Sequence, residues 1–175
     1  MADFQSAIAK TLAHEGGFVD DPADAGGATN WGISLRFLRA EGDIGDVDGD
    51  GDIDANDVRQ MTRAEAIEIY RVKFWERYHY ADLAGSIGEK LFDLCVNMGP
   101  RQAHKILQRA LRACGFVVDE DGIIGPNTIR AANETDGTLL LVALRAEAAG
   151  FYRSLIAQKP ALQKFQNGWL NRAYS

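Results

Sequence analysis

Six aspartates fall within twelve residues of this 175-residue chain, at residues 46–57. They stand at positions 1, 3, 5, 7, 9 and 12 of that run, with Gly51 at position 6 and Ile53 at position 8. This is the spacing of an EF-hand loop, in which oxygen ligands surround a cation at a tight glycine turn. Carboxylates this close repel one another unless a cation neutralises them. The run therefore predicts a structural calcium site whose ligands are Asp46, Asp48, Asp50, Asp52, Asp54 and Asp57.

The end of the run departs from the usual loop, because Asp57 stands where EF-hands carry glutamate. Asp52 would bind through its backbone carbonyl. The order Asp-Gly-Asp-Gly-Asp-Ile-Asp and the final aspartate resemble the calcium loops of dockerin modules. The alternative is a solvated acidic run without an ion, but the phase of the acids around Gly51 favours calcium. Since the ligands would all hold the ion, we expect it to stabilise the protein and not to catalyse.

The acidity of the chain is concentrated around this run. Residues 41–57 hold eight acids and no base, whereas the remainder carries 17 acids and 19 bases. The chain lacks the excess of basic residues that would indicate a nucleic-acid partner. Its charge is compatible with a substrate that bears carboxylates. No apolar stretch reaches the length of a membrane span, and the N-terminus lacks a signal-peptide pattern. We expect a soluble protein, synthesised in the cytoplasm, without membrane insertion.

Helical periodicity dominates the rest of the sequence. Apolar residues spaced by three and four predict helices over residues 3–14, 34–40, 62–75, 87–98, 101–114 and 138–158, and a short one from Pro126. Asp3, Ser34 and Thr62 stand at N-cap positions, and Glu65 completes a capping box with Thr62. Residues 18–33 are rich in turn formers and predict a turn or small hairpin, and 116–124 is the only other stretch that suits a strand. The predicted fold class is mainly α.

Glu15 is the candidate catalytic acid. It ends the apolar first helix and precedes two glycines, so partial desolvation could raise its pKa, as a general acid requires. A helix-terminal glutamate is by itself more often a solvated surface group. Asp24 and Thr29 follow, in the order acid, acid, threonine. Each has a structural alternative, because Asp24 suits an Asx turn and Thr29 a turn hydrogen bond.

A wider pattern surrounds these three residues. It comprises Glu15-Gly16-Gly17-Phe18, Asp21-Pro22, Asp24, Gly26-Gly27, Thr29 and Gly32-Ile33-Ser34, then Ala66, Tyr70, Trp75, Asp82-Leu83, Phe92-Asp93, Asn97 and Gly99. It resembles glycoside hydrolase family 108, the N-acetylmuramidases of phage endolysins and bacterial lysis proteins. A second set resembles the peptidoglycan-binding-like C-terminal region of the same family: Leu107-Gln108, Asp121-Gly122, Gly125-Pro126, Thr128, Phe165, Gly168-Trp169 and Arg172. The resemblance covers almost the whole chain, with residues 41–60 as the main departure.

The resemblance implies a lysozyme-like helical fold with a small hairpin or turn region near the active site. Residues 1–92 would form the catalytic region, which includes the loop at 46–57, and residues 93–175 a helical peptidoglycan-binding-like region in the same globule. It further implies hydrolysis of the β-1,4 bond between N-acetylmuramic acid and N-acetylglucosamine, with Glu15 as general acid. Asp24 would activate a water in an inverting enzyme, or serve as nucleophile or electrostatic partner in a retaining one. Thr29 would position the water.

Three further residues are candidates for substrate binding. Asn97 could hydrogen-bond an acetamido group, and Tyr78 and Tyr80 could stack on sugar rings. Their structural alternatives are a helix C-cap for Asn97 and core packing for aromatics.

Two other functions also fit the sequence. A lytic transglycosylase would leave an anhydro-sugar end, and a non-catalytic, calcium-dependent wall-binding module would use the dockerin-like loop. For all three functions the expected partner is peptidoglycan, and the expected oligomeric state is a monomer. The protein would act in the periplasm or cell wall, which it would reach through a holin or another export route.

Overall fold

The structure is a computed structural model and describes residues 1–14, 17–20 and 27–175. Helices dominate this part of the chain, which confirms the mainly α fold class. The α-helices are α1 (Phe4–His14), α2 (Leu35–Glu41), α3 (Ala55–Gln60), α4 (Arg63–Tyr70), α5 (Gly85–Met98), α6 (Pro100–Ala113), α7 (Pro126–Glu134), α8 (Gly137–Gln158) and α9 (Gln166–Tyr174). The strands are β1 (Thr29–Asn30) and β2 (Ile33–Ser34). Short 3₁₀ segments are Gly42–Gly45, Tyr80–Asp82 and Pro160–Phe165, and Arg71–Glu76 is π-helical.

The helix starts follow the predicted caps. The Asp3 carboxylate accepts a hydrogen bond from the Ser6 N–H (2.7 Å), and the Ser34 hydroxyl accepts one from the Phe37 N–H (3.2 Å). Thr62 and Glu65 form the reciprocal capping box at the start of α4. Each cap satisfies backbone donors that the first helical turn leaves unpaired.

The helix predicted over 62–75 is α-helical only as far as Tyr70. After Tyr70 the chain continues as a π-helical segment, whose wider turn aligns residues five apart. The Arg71 side chain accordingly bonds to Glu76 as well as to Glu68. Trp75 lies in the same segment and is buried.

Contacts divide the chain into two units. One comprises Ile8–Arg77, and the other comprises Met1–Ala7 together with Tyr78–Ser175. In the first unit, β1 and β2 pair as an antiparallel hairpin, with Thr29 opposite Ser34 and Asn30 opposite Ile33. Its two loop residues, Trp31 and Gly32, both have positive φ angles (52° and 79°), as in a type I′ turn. This is the predicted small hairpin.

The second unit is built on α5, α6, α8 and α9, which pack against one another. Its interior is apolar and includes Leu91, Leu94, Ile106, Leu107, Leu111, Leu140 and Leu144. Residues 116–124 form no strand. Among the helices described, none combines the length and hydropathy that crossing a membrane would require.

Candidate active site and acidic loop

Glu15 and Asp24 lie outside the described residues, and the structure shows what flanks them in sequence. Helix α1 is described up to His14, the residue before Glu15. Val19 and Thr29 form an antiparallel bridge with two hydrogen bonds of 2.8 Å, one in each direction. The stretch that contains Asp24 therefore begins and ends at backbone positions that are bonded to each other.

Thr29 lies on β1, where it is half-buried. Its hydroxyl donates to the Gly27 carbonyl at 3.3 Å, which is the turn hydrogen bond considered as its structural alternative. The hydroxyl oxygen can still accept a hydrogen bond, so a role in positioning water remains a prediction.

The hairpin that carries Thr29 is anchored by its neighbours. The buried Asn30 amide donates to the backbone carbonyls of Val58 (3.0 Å) and Met61 (3.2 Å). The Trp31 indole N–H donates to the Met61 carbonyl (3.3 Å), and the Trp31 carbonyl accepts from the Tyr70 hydroxyl (3.0 Å). These bonds hold Trp31 in the left-handed region, which a bulky residue rarely adopts. Sequence reasoning assigned no role to Asn30, and only its position before a tight turn could have suggested one.

The acidic loop brings its carboxylates together in two groups of three. Oxygens of Asp46, Asp48 and Asp50 lie within 4.8 Å of one another, and so do oxygens of Asp52, Asp54 and Asp57. An all-oxygen set of this kind suits a hard cation such as Ca²⁺.

Hydrogen bonds within the loop set its path. The Asp46 carboxylate accepts from the N–H groups of Gly49 (2.8 Å) and Gly51 (3.1 Å), and Asp50 accepts from Asp52 (3.0 Å). Gly49 and Gly51 have positive φ angles, which lets the chain turn tightly at both. The Asp48 carboxylate also accepts from the Gln60 amide (2.9 Å).

Asp57 has a different environment from the other loop acids. It is only 1% exposed, and it accepts from the N–H groups of Val47 and Asp54, both at 2.7 Å. Burial raises the pKa of this carboxyl, but hydrogen bonds from Asp54, Val47 and Asp48 outweigh it, so the net pKa is lowered. Asp54 and Asp57 also form the capping box of α3, a helix that the sequence analysis did not predict.

The exposed loop acids shift in the opposite direction. Partial desolvation and the charge of Asp50 raise the pKa of Asp48, and repulsion by Asp50 is the largest cause of the raised pKa of Asp52. The loop therefore disfavours its own full ionisation when no cation is present.

Asn97 lies near the end of α5 and is half-buried. Its side-chain oxygen accepts a hydrogen bond of 2.6 Å from the Tyr152 hydroxyl of α8. The C-cap of α5 is Gly99, with φ at 84°, so the alternative that made Asn97 the cap is wrong.

The two candidate tyrosines differ in accessibility. Tyr80 is fully buried, and its hydroxyl bonds to His104 Nε2 at 2.7 Å. His104 Nδ1 must donate to the Gly122 carbonyl (3.0 Å), so Nε2 is the acceptor and Tyr80 the donor. Tyr78 is half-buried and packs edge-on against the His104 ring. As a correction, Tyr80 is a core residue with no ring face left for a sugar, and Tyr78 alone of the two retains exposed surface.

A buried ionic cluster also lies in the second unit, and sequence reasoning missed it. Arg172 of α9 lies 3.3 Å from the Asp93 carboxylate of α5, and Lys90 lies 3.9 Å from the same group. The Lys90 ammonium also donates to the Arg172 carbonyl. The cluster ties the last helix to α5, and only the i, i+3 spacing of Lys90 and Asp93 hints at it in sequence.

Comparisons with known proteins address both parts of the chain. The glycosyl hydrolase 108 family model matches residues 8–99, and the model described as a predicted peptidoglycan domain matches residues 102–174. Among solved structures, the chain is similar to that titled "Structure of Brucella abortus SagA", with a TM-score of 0.78 and 29% sequence identity over 97% of this chain and 88% of that one. No curated protein sequence matches it. Since the first family model covers more than half of the chain, the chain belongs to the glycosyl hydrolase 108 family and is a glycoside hydrolase of peptidoglycan.

Proposed function

We propose that this protein is a muramidase that hydrolyses the β-1,4 bond between N-acetylmuramic acid and N-acetylglucosamine, with Glu15 as its general acid. The observation that carries the proposal is the family match over residues 8–99, which contains Glu15, Asp24 and Thr29 in order. In the same proposal, residues 1–92 form the catalytic region and residues 93–175 the wall-binding region of a monomer that reaches the cell wall through a holin or another export route.

The chemistry follows from what glycosidic cleavage demands. Glu15 donates its proton to the glycosidic oxygen as the bond to the anomeric carbon breaks, so that the leaving sugar departs as a neutral hydroxyl. The anomeric carbon becomes positively charged, and the Asp24 carboxylate stabilises that charge. Water then adds its oxygen to the anomeric carbon as the new hydroxyl, and its other proton passes to Asp24 if the enzyme inverts or back to Glu15 if it retains.

The role of Asp24 is decided by the stereochemistry of the product. Activation of a water by Asp24 gives inversion, whereas attack by Asp24 itself gives retention through a covalent intermediate. The anomer that forms first, observed by proton NMR during digestion, distinguishes the two. Thr29, whose strand is bonded to Val19, would orient the water in either case.

The test is Glu15→Gln, which preserves shape and removes the transferable proton. We expect the release of reducing sugar from purified cell walls to fall by about 10²–10⁴-fold. Glu76→Gln is the matched control, because Glu76 is exposed and its partner Arg71 keeps a second bond to Glu68. Activity retained by Glu15→Gln would contradict the assignment.

The two alternative functions give different products. A lytic transglycosylase would release anhydro-sugar ends and no new reducing ends, and a non-catalytic wall-binding module would release neither. Both outcomes would overturn the proposal.

We further propose that the acidic loop binds a structural Ca²⁺ through Asp46, Asp48, Asp50, Asp52, Asp54 and Asp57. The support is the pair of oxygen clusters and the raised pKa values of Asp48, chiefly by desolvation, and of Asp52, chiefly by repulsion from Asp50. The ion would supply positive charge to the loop that leads into α3. Helix α3 in turn contacts the hairpin that carries Thr29, because the Asn30 amide donates to the backbone carbonyl of Val58. In this arrangement calcium stabilises the scaffold and takes no part in proton transfer.

A further inference from the structure

The peptidoglycan domain, residues 102–174, contains a cavity of about 330 Å³ that the proposed chemistry does not use. It lies between the turn at residues 116–125 and the first turn of α7. The residues of its lining that matter here are Phe116, Asp119, Asp121, Ile123, Thr128 and Arg130.

One end of the cavity suits an anion. Helix α7 begins at Pro126 with Gly125 as its N-cap, and no side chain caps it, so the N–H groups of Asn127 and Thr128 have neither an intrahelical nor a capping partner. Helix N-termini with free N–H groups attract negative charge. Arg130 also lines the cavity, but its guanidinium pairs with Glu134 at 3.1 Å, so the N-terminus of α7 itself provides the positive end.

Thr128 gives independent evidence for a ligand at this end. Its residue is only 5% exposed, and it lines the cavity. Within the described part of the chain, its hydroxyl forms no hydrogen bond. Its oxygen is not among the fully enclosed unpaired atoms of the described residues, so the hydroxyl is reachable from the cavity and can bond a group that enters it.

The other end of the cavity carries negative charge. The Asp121 carboxylate accepts hydrogen bonds from the Gln108 amide (2.7 Å) and the Ile123 N–H (2.8 Å), both at Oδ1. The bond from Ile123, followed by that from Gln108, lowers the pKa of Asp121, so it is ionised at neutral pH. Asp119 is exposed beside it. Phe116 and Ile123 add apolar surface to the same lining.

A ligand for this cavity must therefore carry both charges. Asp119 and Asp121 would repel a phosphate, and a neutral sugar would leave the N-terminus of α7 and the two carboxylates without charged partners. Peptidoglycan also contains short peptide stems, which have free carboxylates and amino groups on an otherwise compact chain. We propose that the cavity binds the peptide stem, with a stem carboxylate at the N-terminus of α7 and Thr128 and a stem amino group at Asp119 and Asp121. The inference rests on the proposed function for its substrate, and it adds that this domain recognises the peptide part of the wall.

The test is an NMR titration of the ¹⁵N-labelled full chain with a synthetic stem peptide, N-acetyl-L-Ala-γ-D-Glu-L-Lys-D-Ala. We expect shifts of the Asn127 and Thr128 amides and of residues 119–123. A matched peptide with every carboxylate amidated and the lysine acetylated should bind at least about tenfold more weakly. No shifts with the free peptide at millimolar concentration, or equal binding of both peptides, would overturn the proposal.

Two variants test the assigned contacts. Thr128→Val keeps shape and removes the hydroxyl, and Asp119→Asn removes one charge; each should weaken binding by about tenfold. Thr138→Val is the control, because Thr138 is exposed on α8 and does not line the cavity. Equal binding by Thr128→Val and Thr138→Val would contradict the role of Thr128.

Peptide binding is measured without glycan cleavage, so the two proposals fail separately. Peptide binding together with activity retained by Glu15→Gln overturns the proposed function alone. Cleavage that depends on Glu15 without peptide binding overturns the present inference alone.

Discussion

The carboxylates of two acidic turns in this protein have different partners. The acidic loop at 46–57 and the turn at 119–125 both combine aspartates, glycines and an isoleucine. In the turn, Glu120 bonds to Arg109 at 2.6 Å and Asp121 to Gln108. In the loop, the aspartates accept only backbone and amide N–H groups, and no lysine or arginine of the described residues pairs with them.

The pKa shifts show the consequence of this difference. The Arg109 guanidinium lowers the pKa of Glu120, and hydrogen bonds lower that of Asp121, whereas the pKa values of Asp48 and Asp52 are raised. We therefore expect the turn, whose partners come from a neighbouring helix, to fold without an ion. For the loop, which has no such partners, we expect folding to be coupled to the proposed calcium.

The largest expected effect tests the partners of the turn. Gln108 is buried, and besides its bond to Asp121 it donates to the Ile123 carbonyl (3.1 Å) and accepts from the Gly122 N–H (2.8 Å). Gln108→Leu should lower the free energy of unfolding by about 3 kcal/mol, because it leaves buried polar groups without partners. Urea denaturation measures the change.

The matched control is Gln102→Leu on the same helix. The buried Gln102 Nε2 forms no hydrogen bond within the described residues, so Gln102→Leu breaks no such bond and should leave stability unchanged or raise it. Equal losses for the two variants would contradict the assigned role of Gln108.

Calcium removal tests the acidic loop at 46–57. If calcium is present at 100 times its Kd, its removal by EDTA should cost about 2.7 kcal/mol. For a chain of this size that corresponds to a fall in Tm of roughly 5–10 °C, which calcium should restore and magnesium should restore less well. An unchanged melting curve would show that the loop, like the turn, needs no ion.

These two regions also show what sequence could predict. The caps at Asp3, Ser34 and Thr62 were predicted correctly, since capping depends on residues three apart. Helix α3 was missed because Asp54 and Asp57, which cap it, also fit a loop template. The EF-hand spacing and the capping box of α3 use the same aspartates, so sequence spacing alone does not distinguish a loop from the start of a helix.

Predictions for the candidate site were limited by tertiary contacts. Asn97 meets Tyr152, which is 55 positions away, and Tyr80 meets His104 in the core. Neither contact leaves a periodic signal in the sequence. The family resemblance, in contrast, was confirmed because it used residues along the whole chain.

Asp50→Asn is a smaller perturbation whose effect should change sign with calcium. Asp50 is the largest cause of the raised pKa of Asp52, so without calcium its neutralisation relieves repulsion and raises Tm slightly. With calcium it removes a charged ligand and weakens binding by about tenfold, which isothermal titration calorimetry measures. A variant that lowers Tm under both conditions would contradict a loop dominated by repulsion.

The smallest effect is a difference in carboxyl titration in the calcium-free protein. The lowered pKa values of Asp57 and Asp121 contribute stability that is present above 3.8 and lost as pH falls through the folded values. The raised pKa values of Asp48 and Asp52 act in the opposite sense. As pH falls through them, protonation removes the desolvation cost of Asp48 and the repulsion between Asp52 and Asp50. Carboxyl ¹³C NMR should find Asp48 and Asp52 above 3.8 and Asp57 and Asp121 below it. If all four pKa values lay on the same side of 3.8, the distinction between the loop and the turn would be lost.

The most direct test of the central claim is the identity of the sugar ends that the enzyme produces. Purified peptidoglycan is digested with the wild type or with Glu15→Gln, reduced with borohydride and analysed by mass spectrometry. A muramidase with Glu15 as its acid predicts reduced N-acetylmuramic acid ends from the wild type and almost none from the variant. Reduced N-acetylglucosamine ends, anhydro ends, or equal yields from both proteins would contradict it.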